Sequence, residues 1–301
     1  MDDFASVLRK GLAGAGKGTV LLAAGFAAGL VGAAALLNYA DIPAGSLATV
    51  GLWGLVVLMP QVVLPFITGG ALGYALEAAS GGSPGRGVFF ASARRHYFSL
   101  LIAGLFIFFA MMLLNSPAAF LEEAGIADIS LICMVDVTAF VLLFVVLMFL
   151  EFYDVIIVAE GVGFGQGLAM SVDFVRKHLP TVVPFFIIVL VAKFLVQLPS
   201  MTAIMLRYVS YVAANYSLYA NDTANGTLNS SYLNDTLAAM STPFSAPSLI
   251  SIAVLQVLVQ TIVFAFLYSY KAHFYLWLKN RKAAKKITDF DYDFSQEDKQ
   301  V

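Results

Sequence analysis

Six apolar runs, near residues 18–37, 47–72, 97–115, 130–152, 181–206 and 248–276, dominate the 301-residue chain and leave little room for a water-soluble fold. A bilayer core of roughly 30 Å takes about 20 residues of helix, and backbone in lipid must bond within its own segment, so these runs read as transmembrane α-helices. Only 12% of residues are charged, against roughly 25% in soluble domains. With a mean hydropathy of +0.85, lipid takes the place of a water-facing surface. The run from Thr19 to Leu37 follows Arg9, Lys10 and Lys17; it outlasts the roughly 7–15-residue core of a signal peptide and reads as a retained span.

Charge orients the spans. Segments 38–46, 116–129 and 208–247 contain no Lys or Arg, whereas the alternate segments carry Arg9, Lys10 and Lys17; Arg86, Arg94 and Arg95; Arg176 and Lys177; and Lys279, Arg281, Lys282, Lys285 and Lys286. By the bias of basic residues toward the cytoplasm, both termini lie inside. Five Asn-x-Ser/Thr sequons, at Asn215, Asn221, Asn225, Asn229 and Asn234, fall in the longest outer segment. They put loop 208–247 on an extracellular, glycosylation-competent face, with Asn215 the weakest site because it follows the fifth span so closely. The expected fold is all-α: a polytopic cell-membrane protein of six transmembrane helices in three hairpins, with short cytoplasmic interfacial helices.

The cytoplasmic sides of the hairpins resemble one another. Phe4-Ala5-Ser6 precedes Arg9-Lys10, Phe90-Ala91-Ser92 precedes Arg94-Arg95-His96, and an amphipathic stripe of Leu168, Val172, Val175 and Leu179 surrounds Arg176-Lys177-His178. Parallel repeats over 4–80, 85–160 and 165–280 are expected inside one domain, 1–280, followed by a basic then acidic-aromatic tail, 281–301, that reads as solvated and disordered. The glycine-rich linkers Gly81-Gly82-Ser83-Pro84-Gly85 and Gly161-Val162-Gly163-Phe164-Gly165 end the preceding helices and turn the chain.

The segment Ala159-Glu160-Gly161-Val162-Gly163-Phe164-Gly165-Gln166-Gly167-Leu168-Ala169-Met170-Ser171, followed by Arg176-Lys177, resembles a motif of uncharacterised prokaryotic, archaeal-type six-helix membrane proteins. That group is related to the membrane domain of glycerophosphodiester phosphodiesterases. In it an acidic residue and glycines follow a span, and a small-Leu-x-x-Ser helix leads into the next; Gly167 stands where alanine is more usual. The resemblance implies no activity, because the phosphodiesterase chemistry belongs to a separate soluble domain.

Enzyme motifs do not survive their context. Gly11-Leu12-Ala13-Gly14-Ala15-Gly16-Lys17-Gly18-Thr19 imitates a phosphate loop, but such a loop follows a buried strand, and here an amphipathic segment precedes it. Nucleotide binding is therefore not expected, and a net charge of -2 gives no reason to expect nucleic acid. His96, His178 and His273 show no metal-ligand spacing, and the lone Cys133 reads as buried apolar filler. No catalytic residue, metal or cofactor is expected.

Polar residues inside the spans are the candidates for function. Asp136 sits about 8 Å below the outer end of the fourth span and Lys193 midway along the fifth, counting about 1.5 Å per residue. Gln197 follows Lys193 by one turn, Gln256 and Gln260 repeat that spacing on the sixth span, and Gln61 lies on the second. Together they are expected to form an interhelical or ligand-binding polar layer. Pro60, Pro65, Pro184 and Pro199 are expected to kink their helices near it. The leading expectation is a non-enzymatic envelope, lipid-contacting or assembly component; a small-solute or ion transporter is the alternative. Membrane lipids are the expected partners, with a second copy or another membrane protein beside them.

Overall fold

The computed structural model describes residues 4–41, 47–115, 129–224 and 246–297. All regular structure among them is helical, in the order α1 (Phe4–Lys17), α2 (Thr19–Asp41), α3 (Leu47–Ala79), α4 (Arg86–Asn115), α5 (Ile129–Leu150), α6 (Tyr153–Glu160), α7 (Phe164–Lys177), α8 (Leu179–Ala224) and α9 (Ala246–Glu297). Among the described residues five stretches are long and apolar enough to cross a membrane: Leu58–Ala79, Arg86–Leu113, Cys133–Glu160, Leu179–Pro199 and Ile250–Arg281. A sixth is added if the bent pair Phe4–Gly16 and Thr19–Ala34 counts as one span.

Several boundaries differ from the sequence reading. Helix α8 continues to Ala224, so Asn215 and Asn221 lie on helical backbone rather than in a loop, while Asn225, Asn229 and Asn234 fall outside the described residues. At 46 residues it is roughly 69 Å long, far more than a bilayer core needs. Helix α9 runs on to Glu297 through most of the segment expected to be disordered, because Arg281-Lys282-Ala283-Ala284-Lys285-Lys286 are good helix formers. Pro60 and Pro65 sit within α3 and Pro184 and Pro199 within α8 without ending either helix. The fourth span is the one that breaks, between Leu150 and Tyr153, where there is no proline.

Two of the three expected surface helices are separate elements, α1 and α7. The second is not: Phe90-Ala91-Ser92 and Arg94-Arg95-His96 lie in the opening turns of the continuous helix α4. The stripe expected on α7 is also rotated. Gly167, Ser171 and Val175 are buried, whereas Val172 and Leu179 are exposed. In a membrane bundle the apolar face is free to meet lipid, and small or hydroxyl residues let helices approach.

The chain divides into two compact units, one built from Met1–Ala24, Leu64–Val189 and Phe264–Val301 and the other from Gly25–Val63 and Leu190–Val263. In the second unit α2 lies close to α9. A Cβ on Gly25 would stand 2.5 Å from the Thr261 carbonyl oxygen, and one on Gly29 would stand 3.0 Å from Val257 Cα. Glycines one turn apart thus bring the two backbones together, and Ala33, Ala253 and Val257 close the contact.

In the first unit three segments seat closely on the ends of spans. A Cβ on Gly11 or Gly14 of α1 would meet Tyr270 Cα at 2.9 Å or Ser269 Oγ at 2.4 Å on α9. At the start of α4, Ser92 Oγ donates to the Gly69 carbonyl of α3 at 2.7 Å. On α7, Ser171 Oγ donates to the Phe149 carbonyl of α5 at 2.8 Å. The two serine bonds span 23 and 22 residues. Of the glycines that imitate a phosphate loop, Gly11, Gly14 and Gly16 are therefore helical and Gly18 lies between α1 and α2; Gly11 and Gly14 make room for α9.

Candidate functional site

The break between α5 and α6 gathers the buried charge of the first unit. A helix that stops and restarts leaves carbonyls and amides without intrahelical partners, and in an apolar setting each must be satisfied from elsewhere. Ser171 of α7 supplies both a donor and an acceptor. Its hydroxyl donates to the Phe149 carbonyl at 2.8 Å and accepts the Phe152 amide at 3.2 Å. Lys271 of α9 supplies the rest: Nζ donates to the Glu151 carbonyl at 2.8 Å. Ile156 N–H then bonds the Phe152 carbonyl at 3.0 Å, and the helix resumes.

The same ammonium meets two carboxylates. Nζ lies 3.1 Å from each oxygen of Asp154 and 2.9 Å from Glu151 Oε1, the latter as an ion contact rather than an aligned hydrogen bond. Glu151 and Asp154 are each 5% exposed and Lys271 is 7% exposed. Asp154 also accepts the Val155 amide at 2.7 Å and occupies the first turn of α6, where an acidic group complements the helix dipole. Lys271 thus joins α9 to both sides of the break. Charges this deep persist only when paired and bonded.

Aromatic packing closes one side. Phe152, at the break, is fully buried, with ring centroids 5.0 Å from Phe185 and 5.8 Å from Phe274. Phe185 in turn stacks on Phe274 at 4.2 Å and on Tyr270 at 4.8 Å. The Tyr270 hydroxyl is buried and has no hydrogen-bond partner among the described residues. On another side Tyr268 shares a hydrogen bond of 3.0 Å with Thr68.

The glycine-rich segment after the break locks α6 to its neighbours. Glu160 accepts from Tyr275 Oη at 2.5 Å and from Lys279 Nζ at 2.7 Å. Gly161 then ends the helix with φ of 67° and its amide on the Ile157 carbonyl, a left-handed cap that a side chain would strain. At Gly167 a Cβ would stand 2.4 Å from Ile157 Cγ1. Alanine, the usual residue in the motif this segment resembles, would push α7 away from α6. Ser171, the motif's last residue, is the one that stitches the break.

The residues expected to form a polar layer are distributed as follows. Gln256 is buried, with Nε2 3.4 Å from Gln260 Oε1, and Gln260 Oε1 lies 2.8 Å from where a Cβ on Gly32 would be. Gln61 is half-buried, Lys193 and Gln197 are exposed on α8, and Asp136 is exposed on α5. Cys133 is exposed rather than buried filler, because residues 133–150 of the Cys133–Glu160 stretch include no buried residue. His96 is buried, His178 packs on Phe174 at 5.2 Å, and His273 Nδ1 lies 2.8 Å from the Ser269 carbonyl. No group of three or more His, Cys, Asp or Glu residues suited to a metal occurs among the described residues.

Sequence reasoning passed over Glu151, Asp154 and Lys271. The signal was present: Glu-x-x-Asp ends one apolar run, and a lysine interrupts another between Tyr270 and Ala272. No curated protein and no solved structure matches the chain. One family model does, over residues 3–278, so the chain belongs to the DUF7847 family, a domain of unknown function.

Proposed function

We propose that this is a non-enzymatic multi-pass protein of the cell membrane, serving as an envelope, lipid-contacting or assembly component. In this reading both termini are cytoplasmic and the sequon-bearing segment is extracellular. The observation that carries it is the engagement of Lys271, whose ammonium is occupied by a main-chain carbonyl and two carboxylates that it binds to the helix break. Such a lysine acts as an internal clamp. The outward faces complement it with exposed Phe98, Phe106 and Phe109 on α4 and Val137, Phe140 and Val141 on α5, surfaces suited to lipid or to another membrane helix. Kinship with the six-helix relatives of the glycerophosphodiester phosphodiesterase membrane domain belongs to the same reading. The three-unit repeat does too, supported by the matching Ser92 and Ser171 bonds.

The second reading, a small-solute or ion carrier, is favoured by a discontinuous helix with buried charge, a combination that transporters use at their binding sites. It would use Gln61, Asp136, Lys193, Gln197, Gln256 and Gln260. Native mass spectrometry of the purified protein separates the two. The structural reading expects retained lipid and no solute, and Lys193→Met leaves that pattern unchanged. A retained solute, or ion flux in proteoliposomes, that Lys193→Met abolishes in a folded protein would establish the carrier instead.

A further inference from the structure

Helix α4 turns Ala93, His96, Leu100 and Ala103 into the first unit, where all four are buried. Spacings of three and four residues put them on one side of the helix, so the opposite side faces out. On that side Phe98, Ile102, Phe106 and Phe109 stand exposed, Phe98 by 71%. Arg94 and Arg95 precede Phe98 by one turn, flank the line these four residues draw, and are exposed as well. At about 1.5 Å per residue the line runs roughly 16 Å, close to one leaflet of a bilayer core of roughly 30 Å. A pair of cations thus heads an apolar strip one leaflet long.

The protein does not satisfy this pair itself. Lys177 pairs with Asp173, Lys279 with Glu160, and Arg281 lies over the Trp277 ring. Arg94 and Arg95 make no hydrogen bond or ion pair among the described residues. Arg95 Nη2 lies 3.6 Å from where a Cβ on Gly161 would be, a bare glycine where a side chain could have supplied an acceptor. Helix α4 contains no Asp or Glu, so a second copy docking through the same face would set guanidinium against guanidinium. An anionic headgroup supplies the missing charge, and arginine can bind phosphate through two parallel N–H bonds. We propose that this face of α4 binds an anionic phospholipid, its phosphate held between Arg94 and Arg95 and one acyl chain laid along Phe98, Ile102, Phe106 and Phe109. The inference rests on the multi-pass, lipid-contacting reading above and names the class of lipid and where it sits.

Native mass spectrometry of the full-length protein tests it, with dioleoylphosphatidylglycerol or dioleoylphosphatidylcholine added, lipids that share their chains and differ in net headgroup charge. Wild type is expected to retain phosphatidylglycerol in preference. Arg95→Gln should cut that preference about fivefold and Arg94→Gln/Arg95→Gln about 30-fold. Arg9→Gln/Lys10→Gln, which removes as much charge from α1, should leave it unaltered. Equal retention of the two lipids by wild type, or equal losses in the two double variants, would overturn the proposal. Failure of Arg94→Gln/Arg95→Gln to fold counts equally against it, because it would show the pair engaged by the protein itself. Glycerol phosphate bound with the same dependence on the pair would assign it to a soluble phosphate ester, and a dimer without phosphatidylglycerol would assign the face to a second copy; either refutes the lipid. Vesicle flotation keeps the two readings apart. A protein that does not float with phosphatidylcholine vesicles fails the multi-pass reading, whereas one that floats and shows no headgroup preference fails this inference alone.

Discussion

Lys271 holds its place because three acceptors converge on it, and the value of each partner follows from that geometry. Removing one member of a buried ion network leaves the others unpaired, so Lys271→Met and Asp154→Asn should each destabilise the protein by about 3–5 kcal/mol, measured by unfolding in detergent. Ser171→Ala strips both a donor and an acceptor from the break and should cost about 1–3 kcal/mol. Tyr270→Phe runs the other way: deleting a buried hydroxyl without a partner should leave stability unchanged or raised, and a marked loss would show that the hydroxyl is bonded. At this scale the sequence was half legible. Charge within the apolar runs drew attention to Asp136 and Lys193, and both are exposed. Lys271 escaped notice because it stands eight residues before Lys279 and reads as an outlier of the basic run that follows the last span.

At the scale of elements, span positions were legible and breaks were not. Hydropathy located the starts of five of the six runs to within a few residues, those of α2, α3, α5, α8 and α9, while α4 begins at Arg86 rather than near 97; a backbone in lipid has no alternative to its own hydrogen bonds. The α5–α6 interruption has no proline to announce it. It depends on side chains from α7 and α9, and sequence spacing within one helix does not reveal partners on others. Close approaches were equally hidden. Gly25 and Gly29 stand one turn apart within an apolar run, and only the structure shows α9 against them. Gly167→Ala should raise the intrinsic helix propensity of α7 by roughly 1 kcal/mol and still destabilise the protein by about 1–3 kcal/mol through overpacking against Ile157. A stabilised variant in thermal unfolding would show that the α6–α7 contact yields freely.

At the scale of the molecule, the three seats that α1, the start of α4 and α7 make on span ends support the idea of one unit used three times. The repeat was expected from the basic collars of the three hairpins, and low residue identity is no objection to it, because a seat needs only a small residue or a hydroxyl facing a backbone. Orientation rests on charge and sequons, and it predicts a glycosidase-sensitive mass shift that Asn→Gln changes at Asn221, Asn225, Asn229 and Asn234 remove. The central claim is that Lys271 clamps a broken span. Hydrogen–deuterium exchange of the amides from Phe152 to Glu160 tests it most directly, in wild type and in Lys271→Met. The account predicts slow exchange in wild type and fast exchange in the variant, confined to α6 and the break, while α4 stays protected. Equal protection of that segment in a folded Lys271→Met protein would contradict it.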